Sequence, residues 1–110
     1  MEKPETAALY RVLFSEAVTR RLSELSDEAV ARGDGSAFAA ALKTFRERLA
    51  VYPQFGDPQI DLKTEPGVIR VGIIRPLSMR YGVYEGLRLV LVVAPPVLLP
   101  MDRPDAPANQ

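Results

Sequence analysis

Residues 68–86 read "VIRVGIIRPLSMRYGVYEG". Two runs rich in β-branched and aromatic residues flank Pro76-Leu77-Ser78, the pattern of an antiparallel hairpin. Each run has a glycine in its middle, Gly72 and Gly82, where a strand loses packing area, and arginines recur through both. What these residues face decides how the sheet is built. Side chains alternate across a strand, so Val71 and Ile73 share one face while Arg70, Gly72 and Ile74 share the other. In the next run Tyr81 and Val83 oppose Arg80, Gly82 and Tyr84. Turning the apolar sets inward predicts a core face of Val71, Ile73, Tyr81 and Val83, continued by Leu87, Leu89, Leu91 and Val93. A loop of Pro76-Leu77-Ser78 keeps these sets on one face. That register puts Gly72 opposite Gly82, Arg70 opposite Tyr84 and Ile74 opposite Arg80. The open face then holds a trough of bare backbone flanked by Arg70, Arg80 and Tyr84, with Arg88, Val90 and Val92 beside it.

Outward from the hairpin, the N-terminal half is helical. "LYRVLF" (9–14) alternates Tyr10, Val12 and Phe14 against Leu9, Arg11 and Leu13, which predicts a first strand. Ser15 precedes Glu16 and a periodic apolar run, the signature of a helix N-cap. Val18, Leu22, Leu25 and Ala29 form one stripe, and Gly33 ends the helix. Ser36 is placed to cap a second helix with the stripe Phe38, Leu42, Phe45, Leu49 and Tyr52, stopped by Pro53. The short connection makes the helices an antiparallel pair. "QIDLK" (59–63) is a short extended piece, 68–74, 79–85 and 87–93 are strands, and Pro95 with Pro96 ends the last one near Ala94. The expected fold is α+β: a strand, a two-helix antiparallel hairpin, then an antiparallel three-stranded meander, with the helices on one sheet face. Residues 1–8 read as a flexible lead, 9–100 as a single domain and 101–110 as a disordered tail.

The 110 residues suffice for one core. Lys plus Arg number 14 and Asp plus Glu 14, so no global charge draws the chain to nucleic acid or anionic lipid. Cys and His are both absent. That removes disulfides, Cys/His zinc sites and Ser-His or Cys-His machinery, and neither metal nor cofactor is expected. No apolar run reaches the ~20 residues of a membrane helix and "MEKPETAALY" does not read as a signal peptide. A cytoplasmic protein without membrane partners is therefore expected.

The opening "YRVLFSEAV", the loop "YPQFGDPQIDLK" and the meander "VIRVGIIRPLSMRYGVYEGLRLVLV" together resemble the RelE/ParE superfamily of type II toxin-antitoxin toxins, the plasmid stabilisation proteins of bacteria. The resemblance covers roughly residues 9–94 and is one of element order and hydrophobic positions. It implies a cognate antitoxin laid over the toxin, with Ile74, Val90 and Val92 in the contact. For the endonuclease branch it implies metal-independent mRNA cleavage on the ribosome by basic residues of the sheet; Arg70 and Arg80 are the nearest equivalents, and Lys63 lies just before them. The chain departs from that branch at its end, where "APPVLLP" replaces a basic, tyrosine-containing segment, and at Ser78, where a strand arginine is common. Cations can be named but no base, so the catalytic residues stay unassigned and antitoxin binding is the function implied. A non-catalytic interaction module or homodimer built on the same fold is the alternative.

Lys63, Arg70, Gly72, Arg80, Gly82, Tyr84 and Arg88 are thus the candidate residues for binding an anion, RNA or a partner. Against this stands a plainer reading, in which the glycines permit twist or a bulge and the arginines solvate an exposed face. Tyr10 and Tyr81 fall on predicted core faces. Glu24, Asp27 and Glu28 form a solvated helix face, and "GDG" (33–35) is a turn.

Overall fold

The computed structural model describes residues 9–62 and 67–101, with the backbone only for 60–62. Strand β1 (Arg11–Phe14) leads into helices α1 (Glu16–Ala31) and α2 (Gly35–Val51), a 3-10 turn at Pro53–Phe55, and strands β2 (Asp57–Leu62), β3 (Gly67–Ile74) and β4 (Leu77–Tyr84). A second 3-10 turn, Glu85–Leu87, precedes β5 (Leu89–Val92) and β6 (Val97–Leu98). The class is α+β, with a mixed sheet in the order β1-β5-β4-β3-β2 and β6 paired to β4 beyond the end of β5. β1 runs parallel to β5 and the other pairings are antiparallel.

The helix ends follow local chemistry. The Ser15 hydroxyl accepts from the Val18 amide at 3.1 Å, satisfying a donor that the first turn leaves without a partner. At the other end Gly33 takes φ 86°. Its amide reaches the Val30 carbonyl and that of Asp34 the Ala29 carbonyl, so two terminal carbonyls are satisfied by the left-handed turn. The expected cap on α2 is corrected: Ser36 lies inside the helix and Asp34 occupies the N-cap. The buried Asp34 carboxylate accepts from Arg32 Nε at 2.9 Å, and the Arg32 guanidinium also donates to the Leu99 carbonyl. The turn between the helices is thereby tied to the C-terminal segment.

Val18, Leu22, Leu25 and Ala29 of α1 and Phe38, Ala41, Phe45 and Leu49 of α2 pack on Leu77, Met79, Tyr81, Val83, Val90 and Val92 of the sheet. Tyr52 is exposed rather than part of the stripe. Both helices cover the same sheet face.

The predicted register is overturned. β3 and β4 pair Gly72 with Met79, Arg70 with Tyr81, Val71 with Arg80 and Ile74 with Leu77, around a tight turn at Arg75-Pro76 whose peptide bond is cis. Two residues rather than three separate the strands, so the even-numbered residues of β3 lie on the same face as the odd-numbered residues of β4. Tyr81 and Val83 are core residues as expected, whereas the core face of β3 is Val68, Arg70, Gly72 and Ile74. β5 is inverted as well. Val90 and Val92 are 0% exposed while Leu87 and Val93 are 72% and 66% exposed.

The extended piece expected at 59–63 belongs to a longer edge strand, β2, that begins at Asp57 and has a register irregularity between Pro58 and Ile60. One further element extends the meander. After Pro95 and Pro96 the chain returns as β6, pairing Leu98 with Leu77 and Val97 with Ser78. The expected lead 1–8, Lys63 and residues 102–110 lie outside the described residues.

Candidate partner-binding face

The predicted candidates separate into two groups. Arg70 and Gly72 face the helices and the 53–56 loop. Nη1 of Arg70 donates to the Gln54 carbonyl at 3.1 Å and the Gly56 carbonyl at 2.7 Å. Tyr81, its neighbour on β4, donates its hydroxyl to the Pro53 carbonyl at 2.7 Å and accepts from the Gly56 amide at 3.1 Å. Burial pushes the Tyr81 phenol up from 10.0 to about 12, against the opposing pull of the Gly56 amide and the Arg70 charge. Phe55, carried by the same loop, packs its ring 5.7 Å from Phe45 and 6.0 Å from Tyr81.

Gly72 is small for that ring. A Cβ there would stand 2.8 Å from Phe55 Cζ and 3.1 Å from Phe45 Cε1. Arg70 and Gly72 are therefore parts of a loop clamp, and the trough expected between facing glycines does not form.

Gly82 does lie on the open face, opposite Ile69. It opens no trough either, because the Tyr84 ring leans over it: a Cβ at Gly82 would be 3.1 Å from Tyr84 Cε1, and one at Gly67 would be 2.7 Å from Tyr84 Cε2. Arg88 is not on the open face beside Val90 and Val92. It sits in the left-handed region, φ 52° and ψ 51°, as the turn into β5, with its guanidinium 5.4 Å from the Tyr10 ring centre. Of the predicted arginines, Arg80 projects from the open face and is exposed; Arg11 of β1, paired with Leu89, is exposed on the same face at the sheet edge.

The open face is largely aliphatic. Leu13 is 45% exposed, Ile73 56%, Val93 66% and Val97 52%, with Ile69, Val71 and Leu91 half-buried among them. These residues replace Ile74, Val90 and Val92, the expected contact set, which belong to the helix-facing side. The sequence signal for this face was the apolar composition of β5 on both of its sides.

Arg80 stands between two grooves. One is lined by Ser78, Ala94, Pro95 and Val97, the other by Phe55, Asp57, Gln59 and Ile73, and Val71 borders both. Val71 pairs with Asp57 on one side and Arg80 on the other, so a carboxylate and a guanidinium flank it in one row across three strands. Among the described residues no His, Cys, Asp and Glu cluster is suited to a metal and no helix is long and apolar enough to cross a membrane. No protein-family model matches the chain and no curated protein does either.

Proposed function

We propose that this chain is the toxin-like member of a type II toxin-antitoxin pair of the RelE/ParE kind, which binds its antitoxin across the open sheet face. The observation that carries the reading is the one-sided sheet. Two helices cover one face and leave Leu13, Ile73, Val93 and Val97 exposed on the other, exposed aliphatic area of the kind that marks a protein contact. The element order of strand, helix pair and meander supports the family reading.

Endonuclease chemistry is not part of the proposal. RNA cleavage by the metal-independent route needs a base for the 2′-hydroxyl proton and cations at the phosphate. Arg70 is committed to two loop carbonyls. The Tyr81 phenol is buried and pushed up to about 12, the wrong direction for a base at neutral pH.

The test is expression in a bacterium with and without the product of the adjacent gene, scoring growth. Growth arrest by this chain, relieved by the neighbour, is the expected result. Unchanged growth in both strains overturns the reading.

A further inference from the structure

Arg80 is exposed, forms no ion pair among the described residues and borders two grooves whose walls set Val71, Ile73, Ala94, Pro95 and Val97 beside Ser78, Asp57 and Gln59. Asp57, the nearest carboxylate in its row, lies two strands away across Val71. A guanidinium in such surroundings is a directional anchor, because its planar fork matches a carboxylate in two hydrogen bonds and the apolar walls weaken competition from water.

We propose that the open face takes an apolar segment of a partner protein with a carboxylate seated on Arg80 and aliphatic side chains in the grooves on either side. The partner is thus a polypeptide in which Asp or Glu is flanked by apolar residues. This rests on the partner-binding reading and adds the chemistry of the partner and the residue that selects it.

Charge and surface argue for this occupant. A nucleic acid would need several cations, since its affinity comes from many phosphate contacts, and stacking platforms for its bases. The face offers Arg80, with Asp57 close by, and Arg11 apart from it at the β1 edge; of its rings, Tyr84 lies against the backbone of Gly67 and Gly82 and Phe55 is packed on Phe45 and Tyr81. A second copy packed on a two-fold axis at this patch would bring Arg80 towards its own equivalent, leaving like charges to be desolvated together.

The test is selection of a displayed random dodecapeptide library against the full chain, repeated against Arg80→Glu, with Arg80→Gln as the uncharged variant. Peptides with Asp or Glu between apolar residues are expected, binding Arg80→Glu and Arg80→Gln at least about tenfold more weakly. The Arg80→Glu selection is expected to return Lys or Arg at the same place. Peptides without a carboxylate, peptides that bind both variants as the parent, or an empty selection overturn the proposal. So does tight, Arg80-dependent binding of an oligouridylate probe, or a dimer in sedimentation that Ile73→Glu dissociates. Growth separates the two readings: relief of arrest that is indifferent to Arg80→Glu sinks this inference and leaves the toxin-like reading standing. Carboxylate-dependent peptides selected by a chain without effect on growth do the reverse.

Discussion

Arg70 and Tyr81 are cross-strand partners that hold the same loop, the guanidinium through the carbonyls of Gln54 and Gly56 and the phenol through the Pro53 carbonyl and the Gly56 amide. Removing either leaves buried backbone groups without partners, so Tyr81→Phe and Arg70→Met should each cost about 1–3 kcal/mol. The two substitutions share one loop and should be coupled by about 0.5–3 kcal/mol in a double-mutant cycle. Urea midpoints at unchanged slope are the measurement. Additive losses would mean that the two side chains act on the loop independently.

The Tyr81 phenol also sets a pH dependence. Its folded-state pKa, raised by burial to about 12, exceeds the unfolded value near 10. Between those two values the folded chain keeps a proton that the unfolded chain releases, so stability is full below about pH 10 and falls as pH rises toward 12. Tyr81→Phe lacks this loss. The stability difference between parent and variant should therefore shrink across that window, and the phenolate absorbance present in the parent and missing in the variant should rise near pH 12. A difference that stays constant with pH would contradict the buried placement of the hydroxyl.

Gly72 and Gly82 should respond differently to the same change. Gly72→Val drives side-chain atoms into Phe55 and Phe45, with a first contact at 2.8 Å, and overpacking of this kind should cost about 1–3 kcal/mol. At Gly82 the nearest atoms, Tyr84 Cε1 at 3.1 Å and Ile69 Cδ1 at 3.4 Å, belong to side chains on the open face that can move outward. Gly82→Val should cost less than about 1 kcal/mol, offset by the strand preference of valine. Equal losses at the two sites would refute the assignment of opposite faces.

The sequence carried the helices, the Ser15 cap, the Gly33 stop and the inward face of β4, because each is a local pattern with one solution. It misled on β3 because the helix-facing set Val68, Arg70, Gly72 and Ile74 looks like an exposed set. Arg70 is held through Nη1 by two loop carbonyls, its Nε left buried without a partner, and the space at Gly72 is filled by the ring of Phe55, a loop residue distant from it in the chain. On β5 both sides are apolar, so alternation holds no information and pairing with β4 decides. Arg80 was legible as a candidate, but its place between the two grooves, apart from Arg70, became visible only once the register moved Arg70 to the other face.

The two sides of β5 give a direct check on that inversion. Val90 and Val92 are buried against the helices and Leu91 is half-buried on the open side. Val92→Ala should cost about 1–3 kcal/mol. Leu91→Ala, which removes more atoms, should cost less, about 1 kcal/mol or below, because no enclosed cavity is left. The reverse order would restore the face predicted from sequence.

The C-terminal segment should divide at Pro100. Leu98 packs against the core as part of β6, the Leu99 amide donates to the Pro76 carbonyl at 2.6 Å, and the carbonyls of Leu99 and Pro100 accept from Arg32 and Arg75. A chain ending at Pro100 keeps the peptide groups that make these contacts and should melt within a degree or so of the parent. A chain ending at Pro96 loses β6, the Leu98 side chain and both arginine contacts, and should be destabilised by about 2–4 kcal/mol. Arg32→Ala in the full chain separates the contributions, since it removes the Leu99 contact and the Arg32–Asp34 ion pair while β6 stays in place. Its loss should fall between those of the two truncations, and a chain ending at Pro96 that melts with the parent would show that β6 adds nothing to the fold.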